Sequence, residues 1–197
     1  MCIRDRNGDF VAATLSVDAQ SYSYHIFDLN LGTDTKISDF YFKTKHTDAL
    51  VPTETVQITA RDGMKLNALL LRPKGVDGAA PMVLEVHGGP AGQVKWEYHH
   101  FRQFLVNRGY AVLAVNFRGS SGLGKIYQAA GYGEYGRKMQ DDLVDATLWA
   151  IDQGIADPKA IAINGSSYGG YASAMGLVRD PDLFKAGIIE HAMLDVA

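Results

Sequence analysis

The residues Gly165, Ser166, Ser167, Tyr168, Gly169 and Gly170 spell G-x-S-x-G around Ser167. A serine hydroxyl is a weak nucleophile. It becomes useful where a sharp strand-to-helix turn pushes it out over the rim of a sheet, within reach of a general base. A side chain at either flanking position of so tight a turn would collide with neighbouring backbone, which accounts for the glycines two residues before and two after. The helix that begins there aims unpaired N–H groups and a partial positive charge at the same point. Tyr168 N–H is then a donor to the anion that forms when a carbonyl is attacked. The alternative, a glycine-rich turn with an incidental serine, is disfavoured by the buried strand before it and the helix after it.

A second chemical element is His87-Gly88-Gly89-Pro90, directly after an apolar run. Two glycines let backbone approach a substrate oxygen closely, so Gly89 N–H is the expected second oxyanion donor; a plain β-turn is the alternative. Gly131, Gly133 and Gly136 outline G-x-G-x-x-G, but Lys125 to Ala130 ahead of them is not an apolar strand. Without such a strand the glycines cannot present a pyrophosphate to a helix N-terminus, so no dinucleotide cofactor is expected.

The elements that must hold these residues follow from periodicity. Phe10 to Leu15, Tyr22 to Leu29 and Thr35 to Ile37 read as short strands, too few to close a core. They form either the end of a larger β domain or a docked hairpin. Thr55 to Ala60 and Leu66 to Leu71 read as a hairpin through Arg61-Asp62-Gly63-Met64. Met82 to Val86, Ala111 to Val115, Ile161 to Asn164 and Ala186 to Glu190 are buried strands. Helices between them are marked by Tyr98, Phe101, Phe104 and Leu105, then by Met139, Leu143, Ala146 and Ala150 with Asp141, Asp142 and Asp145 facing outward, then by Tyr168 to Val178. Asp157-Pro158 is expected to turn the chain. Alternating strands and helices specify an α/β fold, a mostly parallel sheet with helices on both faces and its ligand rim at the strand carboxyl ends.

Composition narrows the function classes. The chain has 197 residues, 47% of them hydrophobic, enough for one sizeable core. With 19 basic and 22 acidic side chains the net charge of -3 offers no field for nucleic acid or an anionic membrane. The single cysteine, Cys2, can build neither an internal disulfide nor a cysteine metal cage, and no metal site is expected. Residues 1–9 lack the apolar stretch of a secretory signal. A chain opening in mid-pattern leaves both a cytoplasmic and an exported, periplasmic or secreted, location open.

Four stretches together resemble the catalytic domain of prolyl oligopeptidase-type serine peptidases, most of all the acylaminoacyl-peptidase and dipeptidyl-aminopeptidase branch. They are His87 to Pro90, Asn116-Phe117-Arg118-Gly119-Ser120-Ser121-Gly122, the Asp141-Asp142 helix ending in Ala156-Asp157-Pro158, and Gly165 to Tyr171. The resemblance spans most of Val51 to Ala197. It implies an α/β-hydrolase domain over residues 51–197, preceded in residues 1–50 by the last part of an N-terminal β-propeller that restricts entry to short peptides. It also implies a peptide substrate, with Ser167 as nucleophile and Tyr168 and Gly89 as oxyanion donors.

The departure lies in the base. The triad of this fold runs serine, acid, histidine along the chain, and thirty residues follow Ser167. His25, His46, His87, His99 and His100 precede the serine. His191 follows it, with no element between them to carry an orienting acid. The acid and histidine are therefore expected beyond residue 197, leaving these residues alone nearly inactive. Rival functions are an esterase or lipase on the same fold, a noncatalytic α/β binding module, and a dinucleotide-binding domain.

Overall fold

In the computed structural model, which describes residues 2–4, 8–17, 20–39 and 47–195, two sheets account for all the strands. The first is antiparallel, in the order β1 (Cys2–Arg4), β2 (Phe10–Val17), β3 (Gln20–Asp28), β4 (Thr33–Asp39). Its hairpins match the three strands expected from sequence.

The second sheet has six strands: β5 (Glu54–Thr59), β6 (Lys65–Leu71), β7 (Ala80–Val86), β8 (Ala111–Asn116), β9 (Ala156–Ser166) and β10 (Ala186–Glu190). Their spatial order is β10-β9-β7-β8-β6-β5. The four from β8 to β10 are parallel, and the β5–β6 hairpin joins antiparallel through β6 and β8. The helices α1 (His100–Asn107), α2 (Lys125–Ala129), α3 (Lys138–Asp152) and α4 (Tyr168–Arg179) lie in the connections.

Period-two alternation along the central strands sends side chains to both faces, and both are covered. Met82, Leu84, Leu113 and Val115 meet Met139, Leu143 and Ala146 of α3 and Tyr168, Tyr171 and Ala172 of α4. Val83 and Val112 meet Leu105 and Val106 of α1 on the other side. Each fully buried side chain of this size is worth about 1.5–3 kcal/mol of transfer free energy, so the four parallel strands and their helices are the part of the molecule able to hold a rim loop rigid.

Three expectations need correction. Asp157-Pro158 does not end an element: it sits inside β9, where Ala80 pairs with Ala156 but Met82 pairs with Ile161, so the extra residues bulge while the ladder resumes. On α1 the buried face is Arg102, Gln103, Leu105 and Val106, and Phe104 is half exposed under the Arg108 guanidinium. Polar side chains go inside there because each has a partner. Arg102 donates twice to Glu85 at 2.8 Å, and the Gln103 amide completes both backbone bonds of Val51.

The third correction concerns Asp142, which faces inward and is fully buried. Its carboxylate accepts from the Arg118 amide at 2.8 Å and from the Arg118 guanidinium at 2.9 and 2.7 Å, while Asp62 takes the guanidinium's other edge at 2.7 and 3.0 Å. Burial pushes the Asp142 carboxyl up, against the opposing pull of Arg118; the guanidinium itself is held still further from deprotonation than usual, chiefly by Asp142. A buried charge without its partner is far costlier than the pair. Asp141 and Asp145, half-buried, pair instead with Arg179 and Arg61.

Asp142→Ala in the full-length protein is therefore expected to cost about 3 kcal/mol or more by leaving Arg118 short of a counter-charge, measured by urea denaturation. Hydrogen bonds from Arg118 hold the Asp62 carboxyl down from its ordinary 3.8 to about 2. Because the folded-state value is the lower one, this contribution is present in full above 3.8 and disappears as pH falls toward about 2. Acid titration should thus narrow the stability gap between the wild type and Asp62→Asn across that window, and a constant gap would contradict the assignment.

Candidate active site

Strand β9 delivers the chain to the rim, and α4 leaves it one residue later. Ser167, between them, has φ 58°, a conformation rarely adopted by a residue with a side chain, and its side chain is exposed. It occupies the N-cap position of α4 but makes no side-chain cap bond, so its hydroxyl is not spent on the helix. Its N–H donates to Glu190 O at 2.9 Å and its carbonyl accepts from Tyr171 N–H at 3.1 Å, which ties the bend to the end of β10 and to the first turn of α4.

The glycines are required by contact. A Cβ on Gly165 would stand 2.4 Å from the carbonyl of Gly169, and one on Gly169 would stand 2.1 Å from Val86 O at the end of β7. Backbone thus packs on backbone across the bend, and the start of α4 is pressed onto the strand that feeds the His87 loop. A Cβ on Gly88 would lie 3.5 Å from Ser167 Cβ, so that loop runs beside the serine. Gly89, one residue on, has φ 126°. Tyr168 N–H is the first amide of α4, among the four that a helix leaves without an intrahelical acceptor.

Beneath this rim the Tyr168 ring is buried against Phe117, Tyr135 and Tyr171, with centroids 5.3, 5.0 and 5.8 Å away. Burial pushes its phenol above the ordinary range. Such a ring serves as a foundation for the first turn of α4. A cleft of about 390 Å³ opens on the α1 side of the sheet, walled by Glu85, His87, His99, Ser166 and Glu190. It adjoins the elbow through Ser166, and Ser167 does not line it.

Among the described residues, none of the histidines hydrogen-bonds to Ser167. His87 bonds to Gly88 O and Ser120, His99 stacks on His100, and His191 follows β10 with φ 47°. One arrangement escaped the sequence reading. Ser23 Oγ lies 2.9 Å from His25 Nε2, and His25 Nδ1 lies 2.7 Å from Asp34 Oδ1, the connectivity of a catalytic triad. All three residues sit on adjacent antiparallel strands, with neither a helix start nor a glycine loop to receive an oxyanion. The chain of bonds there locks β3 to β4.

The expected decoy also resolves. Gly131 follows α2 instead of a strand, and its Cα lies against Gly119, where a Cβ would come within 2.5 Å. These glycines let two rim segments cross. Among the described residues no cluster of three or more metal-ligating side chains occurs, and no helix is long and apolar enough to cross a membrane.

The chain is similar to known proteins along most of its length. The chain is 43% identical over 173 residues to dipeptidyl aminopeptidase BIII of Pseudoxanthomonas mexicana, covering 84% of the chain and 25% of that protein. It is 32% identical over 190 residues to an uncharacterized peptidase of Bacillus subtilis, covering 93% of the chain and 28% of that protein. The fold superposes on a puromycin-hydrolyzing peptidase of Mycobacterium tuberculosis with TM-score 0.89 and 25% identity, over 96% of the chain and 30% of that structure. A Pyrococcus horikoshii acylaminoacyl peptidase shares the fold at TM-score 0.82 and 23% identity, over 98% of the chain and 30% of that structure. The chain thus spans about a quarter of the length of the curated relatives it matches. Residues 96–197 match the profile of the prolyl oligopeptidase family, and with the α/β-hydrolase fold and the elbow in place, the chain belongs to that family of serine peptidases.

Proposed function

We propose that the protein containing this chain hydrolyses amide bonds of short peptides through an acyl-enzyme on Ser167. The observation that carries this reading is the exposed Ser167 side chain at φ 58°, set between the first amide of α4 and the Gly88-Gly89 loop. Ser167 Oγ attacks the substrate carbonyl carbon and a histidine takes its proton. The anionic oxygen is received by Tyr168 N–H and Gly89 N–H, each such donor being worth about 10²–10³ in kcat. The histidine then returns the proton to the leaving amine, and water, activated in the same way, releases the acyl group.

No described histidine hydrogen-bonds to Ser167, and this reading assigns the histidine and its orienting acid to sequence beyond residue 197. The four-stranded sheet of β1 to β4 is assigned to the last part of a β-propeller over residues 1–50 that limits substrates to short peptides. Relatives named for dipeptidyl aminopeptidase and puromycin-hydrolyzing activity favour amide substrates over simple esters. Elbow and oxyanion loop would serve an esterase equally well, and substrate preference separates the two.

In the full-length protein a fluorophosphonate probe should label Ser167 stoichiometrically, and Ser167→Ala should abolish both labelling and turnover. Peptidyl or aminoacyl anilides should be cleaved with higher kcat/KM than alkyl esters, and the reverse order would favour the esterase. Residues 1–197 alone should label slowly, since loss of the histidine costs a serine hydrolase about 10⁶ in kcat. Rapid, complete labelling of that piece would place the base within it.

A further inference from the structure

The imidazole of His87 is half-buried, and the reaction scheme above gives it no part. Its Nδ1 lies 2.8 Å from Gly88 O, its Nε2 lies 2.8 Å from Ser120 Oγ, and its ring stacks on Phe117 with centroids 4.4 Å apart. Ser120 is fully buried and its Oγ lies 2.6 Å from Phe117 O. Two rim loops, one after β7 and one after β8, are thereby fastened through a single side chain.

Gly88 O is a carbonyl and can only accept, so the contact requires a proton on Nδ1. Burial pushes the His87 imidazole down, which favours the neutral ring. In that form Nε2 carries the lone pair and competes with Phe117 O for the one Ser120 hydroxyl proton. Were the ring charged, Nε2 would donate to Ser120 and the hydroxyl would turn to Phe117 O. The bond from Nδ1 to Gly88 O is common to both states.

Gly88 O and Gly89 N–H belong to one peptide unit. That unit is trans, the only cis bond among the described residues being Gly89–Pro90. In a trans peptide the carbonyl and the N–H point in opposite directions. Holding Gly88 O toward the His87 ring therefore turns Gly89 N–H the other way. Flanked by glycine on both sides, this peptide has little of its own to resist rotation, and a rotated peptide would present an oxygen where an N–H is needed.

We infer that His87 and Ser120 are a positioning pair: the imidazole, braced at Nε2 by Ser120 Oγ and bonded through Nδ1 to Gly88 O, fixes the Gly88–Gly89 peptide plane so that Gly89 N–H faces the oxyanion. This rests on Ser167 as nucleophile and Gly89 N–H as donor. In this role neither His87 nor Ser120 acts on the reacting atoms. Their effect falls on the transition state, where the charge on oxygen develops, and therefore on kcat more than on KM.

The test uses the full-length protein with a peptidyl anilide and the variants His87→Ala, His87→Asn, His87→Gln, Ser120→Ala and Ser167→Ala. An asparagine amide can occupy the place of Nδ1–H and donate to Gly88 O, whereas a glutamine amide reaches toward the place of Nε2. His87→Ala is expected to lower kcat about 10–100-fold, less than or equal to the loss of a whole oxyanion donor, with KM changed less than about threefold. His87→Asn should recover most of that loss and His87→Gln little of it; Ser120→Ala should lose about 2–10-fold in kcat. If His87→Ala does not fold, the Asn and Gln variants still decide, because equal activity of the two removes the peptide-plane role. Unchanged kcat in His87→Ala, or a loss confined to KM, overturns the inference while leaving Ser167 in place. Complete loss of fluorophosphonate labelling in a folded His87→Ala would make His87 the base and overturn it as well. Retained turnover in Ser167→Ala would instead defeat the underlying reading of the site.

Discussion

The contact on which the rim depends is a backbone approach that tolerates no side chain. Gly169 lies so close to Val86 O that a Cβ would come within 2.1 Å, and Gly165 closes on Gly169 with similar economy. This approach brings the start of α4 down onto the end of β7. The chain between β9 and α4 then has a single residue in which to reverse direction, and Ser167 adopts φ 58° as the consequence. Strain of that kind, of the order of 1–3 kcal/mol, persists only where surrounding structure over-determines it. Here the buried strands on one side and the Tyr168 ring packed on Phe117 on the other do so.

A second constraint runs through the loop after β8. Asn116 uses its side-chain amide to complete both backbone bonds of Val94, fixing the exit of the His87 loop. Phe117 stacks under His87, and Arg118 is clamped between Asp142 and Asp62. Ser120 meets His87 Nε2. Four nearly consecutive residues thus tie the loop carrying the glycines to α3 and to the β5–β6 turn. The buried Arg118–Asp142 pair is an expensive way to hold a loop, since removing two charges from water costs several kcal/mol per ion before the pair repays it. Its geometry, with the Arg118 amide joining the guanidinium on the same carboxylate, makes the repayment specific to one loop conformation.

Much of the fold was legible because its signals are local. The hairpin of β5 and β6, the central strands, the helices and the elbow all announce themselves through alternation, helical spacing and glycine placement, each of which depends on residues near one another in the chain. The misreadings share a cause. Asp142 was read as solvent-facing because charge ordinarily is, and Phe104 as part of a buried helix face because apolar bulk ordinarily is. Partners far away in sequence decided otherwise: Arg118 draws Asp142 inside, and Glu85 gives Arg102 the buried side of α1. The Ser23–His25–Asp34 link was invisible for the same reason, since it exists only once β3 and β4 pair in register.

By itself, then, the sequence determined the order of strands and helices, the glycine-flanked Ser167 and the candidate oxyanion amides, because the Cβ-free positions and periodicities that specify them are properties of short segments. Only the tertiary structure decided that His87 points at Gly88 O and Ser120, that Asp142 is buried on Arg118, and that the β7 loop lies alongside Ser167. Those are relations between groups brought together by sheet registry and helix packing, and no local pattern encodes the distance between them.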